Sequence, residues 1–173
     1  MLFSKKNQMG VVEQALKRMG WRYIRVDDDA ILTGVGLPSG YHTLILIRND
    51  EARRTMLFLF NLSSSTDIDQ MMRGMLSGHP PIMMVHPARG HTEEQVAEVC
   101  ELLMYWNYRI ILGNFERDQS DGEIRFRIAF PYRDSTLTVD QVIWCVSIGC
   151  SILNEAVPEI EKVIGGVSGG MVV

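Results

Sequence analysis

Four apolar residues near the start of the chain recur at helical spacing. They are Met9, Val12, Leu16 and Met19. Steps of three or four residues place such side chains on one face of a helix, so we expect a helix over residues 5–19. Gly20 follows directly and supplies a favourable C-terminal stop for that helix.

Four segments that follow have the length and the apolar content of β-strands. We predict strands over residues 21–26, 30–35, 41–48 and 54–62. The connections between them are short enough for antiparallel hairpins. Residues 44–47 and 57–60 are apolar without interruption, which indicates strands that are covered on both faces.

The stretch from residue 63 to residue 91 is harder to interpret. A helix over residues 67–76 and a short strand over residues 82–86 both fit its apolar positions. Short apolar runs occur in helices as well as in strands, so the pattern favours these two elements without excluding the other state for either.

Two later helices begin with a capping box, in which a Thr at the N-cap is followed three residues later by Gln. The pairs are Thr92 with Gln95 and Thr138 with Gln141. The first of these helices extends to about Trp106, and the glutamates between its apolar positions lie in water. Its apolar face consists of Val96, Val99, Cys100 and Leu103.

The last helix begins at Val139 and is apolar on more than one side. One side carries Val142, Ile143, Val146, Cys150 and Leu153, and another carries Trp144, Ile148 and Ile152. A helix that is apolar all round must be covered all round. We therefore expect a sheet on one side and a second subunit on the other, with the second of these sets at a homodimer interface. Pro158 is expected to end this helix or to begin a short one that reaches Ile164.

Residues 113–130, GNFERDQSDGEIRFRIAF, have the pattern of a half-buried β-hairpin. Residues 120–122 are typical of its turn. The return strand alternates the apolar residues Ile124, Phe126, Ile128 and Phe130 with Glu123, Arg125 and Arg127. Successive side chains of a strand point to opposite faces, so one face of this hairpin is apolar and the other is charged.

The charged face of the hairpin has two interpretations. Glu116 is positioned for cross-strand pairing with Arg125 or Arg127, which would leave the face simply solvated. Alternatively, the face is a partner-binding surface that consists of Glu116, Glu123, Arg125 and Arg127.

The composition is that of a soluble globular protein with one core. The chain has 173 residues, of which 46% are hydrophobic and 22% are charged. We treat residues 1–166 as a single domain and residues 167–173 as a flexible, glycine-rich tail. The net charge of −4 argues against nucleic-acid binding, which needs a basic surface. Neither a signal segment nor a membrane-spanning run is predicted, so we expect a cytoplasmic protein.

No catalytic constellation emerges from the motifs. Residues 166–170 match G-x-S-x-G, but no His or acid follows them to complete a triad. Residues 34–40 lack the Lys-Ser/Thr ending of a phosphate loop, and residues 27–29 lack the Gly and the distal Glu of a calcium loop. We therefore predict no catalytic residue, no metal and no cofactor.

The histidines leave one alternative function open. His79, His86 and His91 lie close together, although their spacings are longer than those of usual zinc-ligand pairs. A metal-binding protein or an enzyme that uses this segment is therefore the alternative to a binding module. The cysteines have no paired spacing, so we expect free thiols at Cys100, Cys145 and Cys150.

Residues 111–127 resemble the signature of the YbjN-like family, also called bacterial sensory transduction regulators. Members carry a helix that ends in Asn-Tyr, then a GNFE-x-D stretch, DGEIR, a long helix and a Leu/Val-Pro step. The corresponding positions here are Asn107 and Tyr108, 113–118, 121–125, 139–156, and Val157 with Pro158. The similarity extends from about residue 92 to residue 166.

The resemblance implies an α+β fold in which helices pack on a twisted antiparallel β-sheet, similar to type III secretion chaperones. Such domains are usually homodimers, and the family has no established enzymatic activity. We therefore expect a non-enzymatic binding module, chaperone-like or regulatory, that forms a homodimer and holds a protein partner. The family offers no catalytic residue that could be assigned to this chain.

Overall fold

The computed structural model describes residues 8–63, 92–119, 122–133 and 135–165. Within these ranges the chain forms three helices and one six-stranded antiparallel sheet, which confirms the predicted α+β class. Three predictions fall outside the described residues: the helix over residues 67–76, the strand over residues 82–86 and the C-terminal tail.

The sheet contains all four predicted N-terminal strands and both strands of the predicted hairpin. The strands are β1 Tyr23–Asp27, β2 Ala30–Gly36, β3 His42–Asp50, β4 Thr55–Ser63, β5 Asn114–Arg117 and β6 Ile124–Pro131. Their order across the sheet is β1-β2-β3-β4-β6-β5, and every neighbouring pair is antiparallel. The C-terminal hairpin therefore extends the sheet beyond β4, and β5 is the outermost of the described strands on that side.

The described part of the chain contains three helices, and the second and third begin where their capping boxes predict. They are α1 Gln8–Arg18, α2 Glu93–Arg109 and α3 Val139–Gly165. Thr92 Oγ1 accepts a hydrogen bond from the Gln95 N–H at 3.2 Å, and the Gln95 side chain bonds back to the Thr92 N–H at 3.0 Å. Thr138 and Gln141 form the same two bonds, at 3.2 and 2.9 Å. Both capping boxes are confirmed, and they satisfy N–H groups that a helix leaves unpaired at its start.

α3 continues through Pro158, so the prediction that this residue ends the helix or begins another one is wrong. Proline lacks the N–H that would bond to the carbonyl four residues earlier, which weakens one turn of the helix. The residues around it are anchored in the core, because Ala156, Val157 and Ile160 are at most 3% exposed. Tertiary packing therefore maintains the helix where the local sequence favours a break.

This continuation makes α3 long and apolar enough to cross a membrane by length and composition alone. The expectation that no segment has this length is therefore revised. An 18-residue stretch within Val139–Ile164 has a mean hydropathy of 1.2, a value that the buried core helices of globular proteins also reach. In this chain α3 contacts α1, α2 and strands β4 and β6.

One face of the sheet carries the core and is covered by the helices. Its fully buried side chains include Ile31, Ile45, Ile47, Phe58, Phe60, Phe126 and Ile128. α1 adds Leu16 to this core, α2 adds Leu103, and α3 contacts both helices. One apolar side of α3 thus packs on the sheet and on helices of its own chain, whereas Trp144, on the side predicted to meet a second subunit, is 51% exposed. The homodimer itself stays a prediction.

α3 approaches the sheet closely at Gly149. A Cβ atom at this position would lie 2.2 Å from Cζ of Phe60. Phe60 is fully buried, and its ring centroid lies 5.8 Å from that of Phe126. In a close-packed interior such a ring has little room to move away. The distance between α3 and the sheet therefore requires a residue without a side chain.

We expect Gly149→Ala to lower the free energy of unfolding by about 2 kcal/mol, because overpacking against Phe60 exceeds the gain in helix propensity. Urea unfolding followed by circular dichroism measures the change. Ser147→Ala, on the exposed side of the same helix, is the matched control and should alter stability by less than about 0.5 kcal/mol. Equal stabilities of Gly149→Ala and the wild type would contradict the close approach.

Candidate partner-binding face

The face of the sheet opposite the helices, here called the second face, has an apolar part. It carries Leu32, Leu44, Leu46, Leu57 and Leu59. None of these leucines belongs to the hydrophobic cluster that the sheet forms with the three described helices. Leu32 and Leu44 are buried, whereas the other three are half-buried. The half-buried leucines keep apolar surface that is open to contact.

The second face ends in charged residues on the β5–β6 hairpin. Arg127 of β6 lies beside Leu59 of β4, and Arg125 lies opposite Glu116 of β5. The residues that alternate with these arginines point into the core, so the arginines themselves must point to the second face. We call Glu116, Glu123, Arg125 and Arg127 the Glu116 cluster.

Glu116 holds both arginines of this cluster. Its Oε2 accepts a hydrogen bond from Arg125 Nε at 3.1 Å, and its Oε1 accepts one from Arg127 Nη1 at 2.8 Å. Asn114 Nδ2 also donates to Glu116 Oε1, at 3.3 Å. Arg125 lies 3.9 Å from the Glu123 carboxylate as well. The predicted cross-strand pairing is therefore confirmed, and it involves both arginines together.

Two opposing effects act on the pKa of Glu116. Its partial burial by itself raises the pKa, whereas the hydrogen bonds from Arg127 and Arg125 lower it. The hydrogen bonds prevail, so the pKa lies below its ordinary value of 4.5. Glu116 is therefore ionised at neutral pH, and its ion pairs are fully formed there.

Asn107, near the end of α2, bonds to the backbone of β5 on the side that faces away from β6. Its Oδ1 accepts a hydrogen bond from the Phe115 N–H at 2.6 Å, and its Nδ2 donates one to the Phe115 carbonyl at 3.1 Å. One carboxamide thus imitates a neighbouring strand at a position where unpaired backbone groups would invite another chain. The sequence marks Asn107 as part of the family signature, but no periodic pattern links it to Phe115.

Gly113, the first residue of the GNFE motif, is required by its backbone and by its surroundings. Its φ of +90° lies in the left-handed region that favours glycine. A Cβ atom would lie 2.6 Å from Cζ of Phe126 and 2.7 Å from the carbonyl oxygen of Arg127. The motif therefore begins with glycine because the chain passes directly against β6 at this point.

The residues predicted for the dimer interface differ in exposure. Trp144 is 51% exposed, whereas Ile148 and Ile152 are half-buried and pack against the core. None of these observations tests whether they contact a second subunit, so the assignment stays a prediction. The candidate metal ligands His79, His86 and His91 lie outside the described residues.

Other candidate groups have ordinary structural roles. Asp27 Oδ1 accepts a hydrogen bond from the Asp29 N–H at 2.7 Å, a bond typical of a tight turn. All three cysteines are free, as predicted. Burial raises the pKa of Cys145 to about 12 and that of Cys150 to about 11, so both remain thiols at neutral pH.

Within the described ranges no group of three or more His, Cys, Asp or Glu is arranged to hold a metal ion.

We expect Asn107→Ala to lower the free energy of unfolding by about 1–3 kcal/mol, because the Phe115 N–H loses its acceptor and the Phe115 carbonyl keeps only a longer bond, 3.5 Å, from Asn114 Nδ2. Hydrogen exchange of the Phe115 amide should accelerate at least about tenfold, which a general loss of packing would not confine to this site. Gln14→Ala, on the exposed side of α1, is the control. An unchanged exchange rate at Phe115 would refute the role of Asn107.

Stability should depend on pH through Glu116. The pKa of Glu116 is lower in the folded chain than in the unfolded chain, where it is 4.5. Its ion pairs therefore stabilise the fold at pH values above 4.5, and this contribution disappears as the pH falls through the folded pKa. Glu116→Gln should therefore cost about 1 kcal/mol at pH 7 and flatten the decline in stability as the pH falls below 4.5. Urea unfolding at each pH measures both effects.

The control for net charge is Glu94→Gln, which removes the same charge from the exposed side of α2. If the stability curves of the wild type and Glu116→Gln run parallel from pH 7 to the acid end, the ion pairs of Glu116 contribute nothing to folding. That outcome would contradict the hydrogen bonds that define the Glu116 cluster.

Comparisons with known proteins agree with the resemblance drawn from the sequence. Residues 83–162 match the model of the YbjN family, described as "Putative bacterial sensory transduction regulator". No curated protein matches the chain significantly. The match to the family model includes α2, the β5–β6 hairpin and most of α3, and so covers the Glu116 cluster and Asn107.

A solved structure has a similar fold. The crystal structure of YbjN from E. coli, described there as a putative transcription regulator, matches with a TM-score of 0.53 and 10% sequence identity. The match covers 89% of this chain and 90% of that one. At this identity the likeness concerns the fold alone, and the expected likeness to type III secretion chaperones stays a prediction. The chain thus carries the YbjN family sequence pattern over residues 83–162, on an α+β fold similar to that of E. coli YbjN.

Proposed function

We propose that the chain is a non-enzymatic regulatory module that binds a protein partner at the Glu116 cluster and acts as a homodimer. The observation that carries partner binding is an oriented set of ion pairs beside half-buried leucines on one face of the sheet. The description of the matching family as a sensory transduction regulator supports the regulatory role. The E. coli protein of similar fold is likewise described as a regulator, of transcription.

The residues at this end of the second face suit protein recognition. Arginine is enriched at protein interfaces, and such interfaces combine an apolar centre with a polar rim. Leu59 and Arg127 are cross-strand neighbours, and the Arg127 side chain is 41% exposed. A partner that covers Leu59 would therefore also contact the guanidinium group of Arg127.

The ion pairs within the cluster favour a particular charge pattern in the partner. Glu116 holds both guanidinium groups in place before binding, so their side chains lose little freedom when a partner arrives. Each guanidinium has five N–H donors, and those that Glu116 leaves free can bond to a carboxylate of the partner. Such an arrangement contributes specificity more than affinity.

The homodimer part of the proposal is supported by the family resemblance and by apolar side chains that remain exposed on the helices. Trp144 of the interface predicted from sequence is one of these side chains. Partner binding and dimer formation involve different surfaces under this proposal, so each can fail without the other.

Partner binding can be tested by affinity capture from native-cell extract, followed by titration of the captured protein. We expect Arg125→Glu/Arg127→Glu to bind that protein at least about tenfold more weakly than the wild type does. Lys17→Glu/Arg22→Glu, at the end of α1 and just beyond it, makes the same change in net charge on exposed residues. This matched control should retain the partner.

A second variant separates loss of the surface from loss of the fold. The new carboxylates of Arg125→Glu/Arg127→Glu repel Glu116, whereas Arg125→Gln/Arg127→Gln removes the same cations without adding that repulsion. Circular dichroism establishes that each variant is folded. If both folded variants retain the partner at the wild-type affinity, the Glu116 cluster is not the binding surface.

A further inference from the structure

The outer side of α2 carries the main exposed apolar patch in the described part of the chain. Among the described residues six large apolar side chains are strongly exposed. Four of the six lie at the end of α2 or just beyond it. These four, here called the α2 patch, are Met104 at 71%, Tyr105 at 51%, Tyr108 at 93% and Ile111 at 100% exposure. Tyr108 is a neighbour of Met104 and of Tyr105 on the helix surface by their spacing, and an exposed apolar patch of this kind marks an interaction surface.

The fold itself does not need the α2 patch. The buried residues of α2 are Val99, Leu103 and Trp106, which attach the opposite side of the helix to the core. Trp106 Nε1 also donates a hydrogen bond to Glu159 Oε2 of α3, at 3.0 Å. With one side of α2 fixed in this way, the helix presents the patch on a rigid support.

The outer side of α2 changes in character along its length. Its first half is acidic, with Glu94, Glu98 and Glu101 exposed, and its second half carries the α2 patch. Arg109 lies at the far end, where its guanidinium group is 5.2 Å from the ring centroid of Tyr105. The cation is thus held beside the aromatic rings at the edge of the patch.

We propose that the α2 patch binds the α2 patch of a second copy of this chain, with the two helices antiparallel about a two-fold axis near Tyr105. In a two-fold interface each contact occurs twice, with the roles of the two copies exchanged. Tyr105 lies midway between Glu101 and Arg109 in the sequence of α2. An antiparallel crossing at Tyr105 therefore places Arg109 of each copy opposite Glu101 of the other.

Other arrangements of the two helices fit the charges less well. A parallel pair would set the exposed glutamates of both copies side by side, and like charges in contact oppose association. Pairing through the β5 edge is hindered, because Asn107 already occupies both outward-facing backbone groups of Phe115. The antiparallel helix pair therefore combines apolar contact at the centre with opposite charges at both ends.

This inference rests on the homodimer part of the proposed function and replaces its interface, while partner binding at the Glu116 cluster is independent of it. One helix from each copy buries less than the roughly 800 Å² per partner of a standard interface. We therefore expect a dissociation constant in the micromolar range. Sedimentation equilibrium of the full chain from about 1 to about 200 μM covers that range.

The first test replaces one exposed side chain on each candidate interface. Tyr108→Glu introduces a charge into the α2 patch at a position where the fold has no contact to lose, and it should weaken dimerisation at least about tenfold. Trp144→Glu introduces the same charge on the exposed side of α3 and should leave dimerisation unchanged. A wild type that stays monomeric throughout, or a dimer lost only in Trp144→Glu, would overturn the proposal.

A charge-reversal cycle tests the antiparallel geometry. Glu101→Arg and Arg109→Glu should each weaken dimerisation, since each sets two like charges opposite one another. The double variant Glu101→Arg/Arg109→Glu should recover at least half of the lost affinity on a logarithmic scale, because the opposite pairs are restored across the two-fold axis. A double variant that dimerises no better than the weaker single variant would overturn this arrangement.

The same measurements separate this proposal from that for partner binding. Arg125→Glu/Arg127→Glu should sediment as a wild-type dimer, although it loses the captured partner. If the wild type is monomeric and captures a different protein that Tyr108→Glu fails to bind, the α2 patch serves that protein, and the second copy is excluded as its occupant.

Discussion

The packing of α3 against the sheet is the contact on which the rest of the structure depends. Gly149 allows the helix to lie directly on the ring of Phe60. The ring of Phe60 is followed by that of Phe126 at 5.8 Å and then by that of Phe115 at 5.0 Å. This row of rings joins the helix to β4, β6 and β5 in one close-packed layer. The position of the β5–β6 hairpin therefore depends on the position of α3.

The orientation of the Glu116 cluster follows from that layer. Phe126 is fixed in the row of rings, so Arg125 and Arg127 on either side of it must point to the second face. Surface ion pairs alone contribute about 0–1 kcal/mol and would not hold a strand in register. The charges of the cluster are thus arranged by the core beneath them, which makes the candidate binding face a rigid one.

Local sequence patterns predicted much of this architecture, and the exceptions share a cause. Strand alternation and capping boxes depend on near neighbours in the chain, and the structure contains them. The helix continues past Pro158 because of contacts with distant residues, which no local pattern contains. Asn107 likewise acts on a strand that it meets only in the folded chain. The pairing of Glu116 was predicted with one arginine, because strand register alone does not reveal that a long diagonal side chain such as Arg127 also reaches it.

The order of strands in the sheet has a consequence for how the chain folds while it is being synthesised. β4 pairs with β3, its neighbour in the sequence, but its other edge pairs with β6, so that residues 55–61 meet residues 125–131. Closing this long loop carries an entropic penalty that is offset only once the two strands join. During synthesis the edge of β4 therefore remains unpaired until β6 has left the ribosome. Over that interval the nascent chain exposes a long apolar strand edge. Such an edge promotes aggregation and is a feature that chaperones bind.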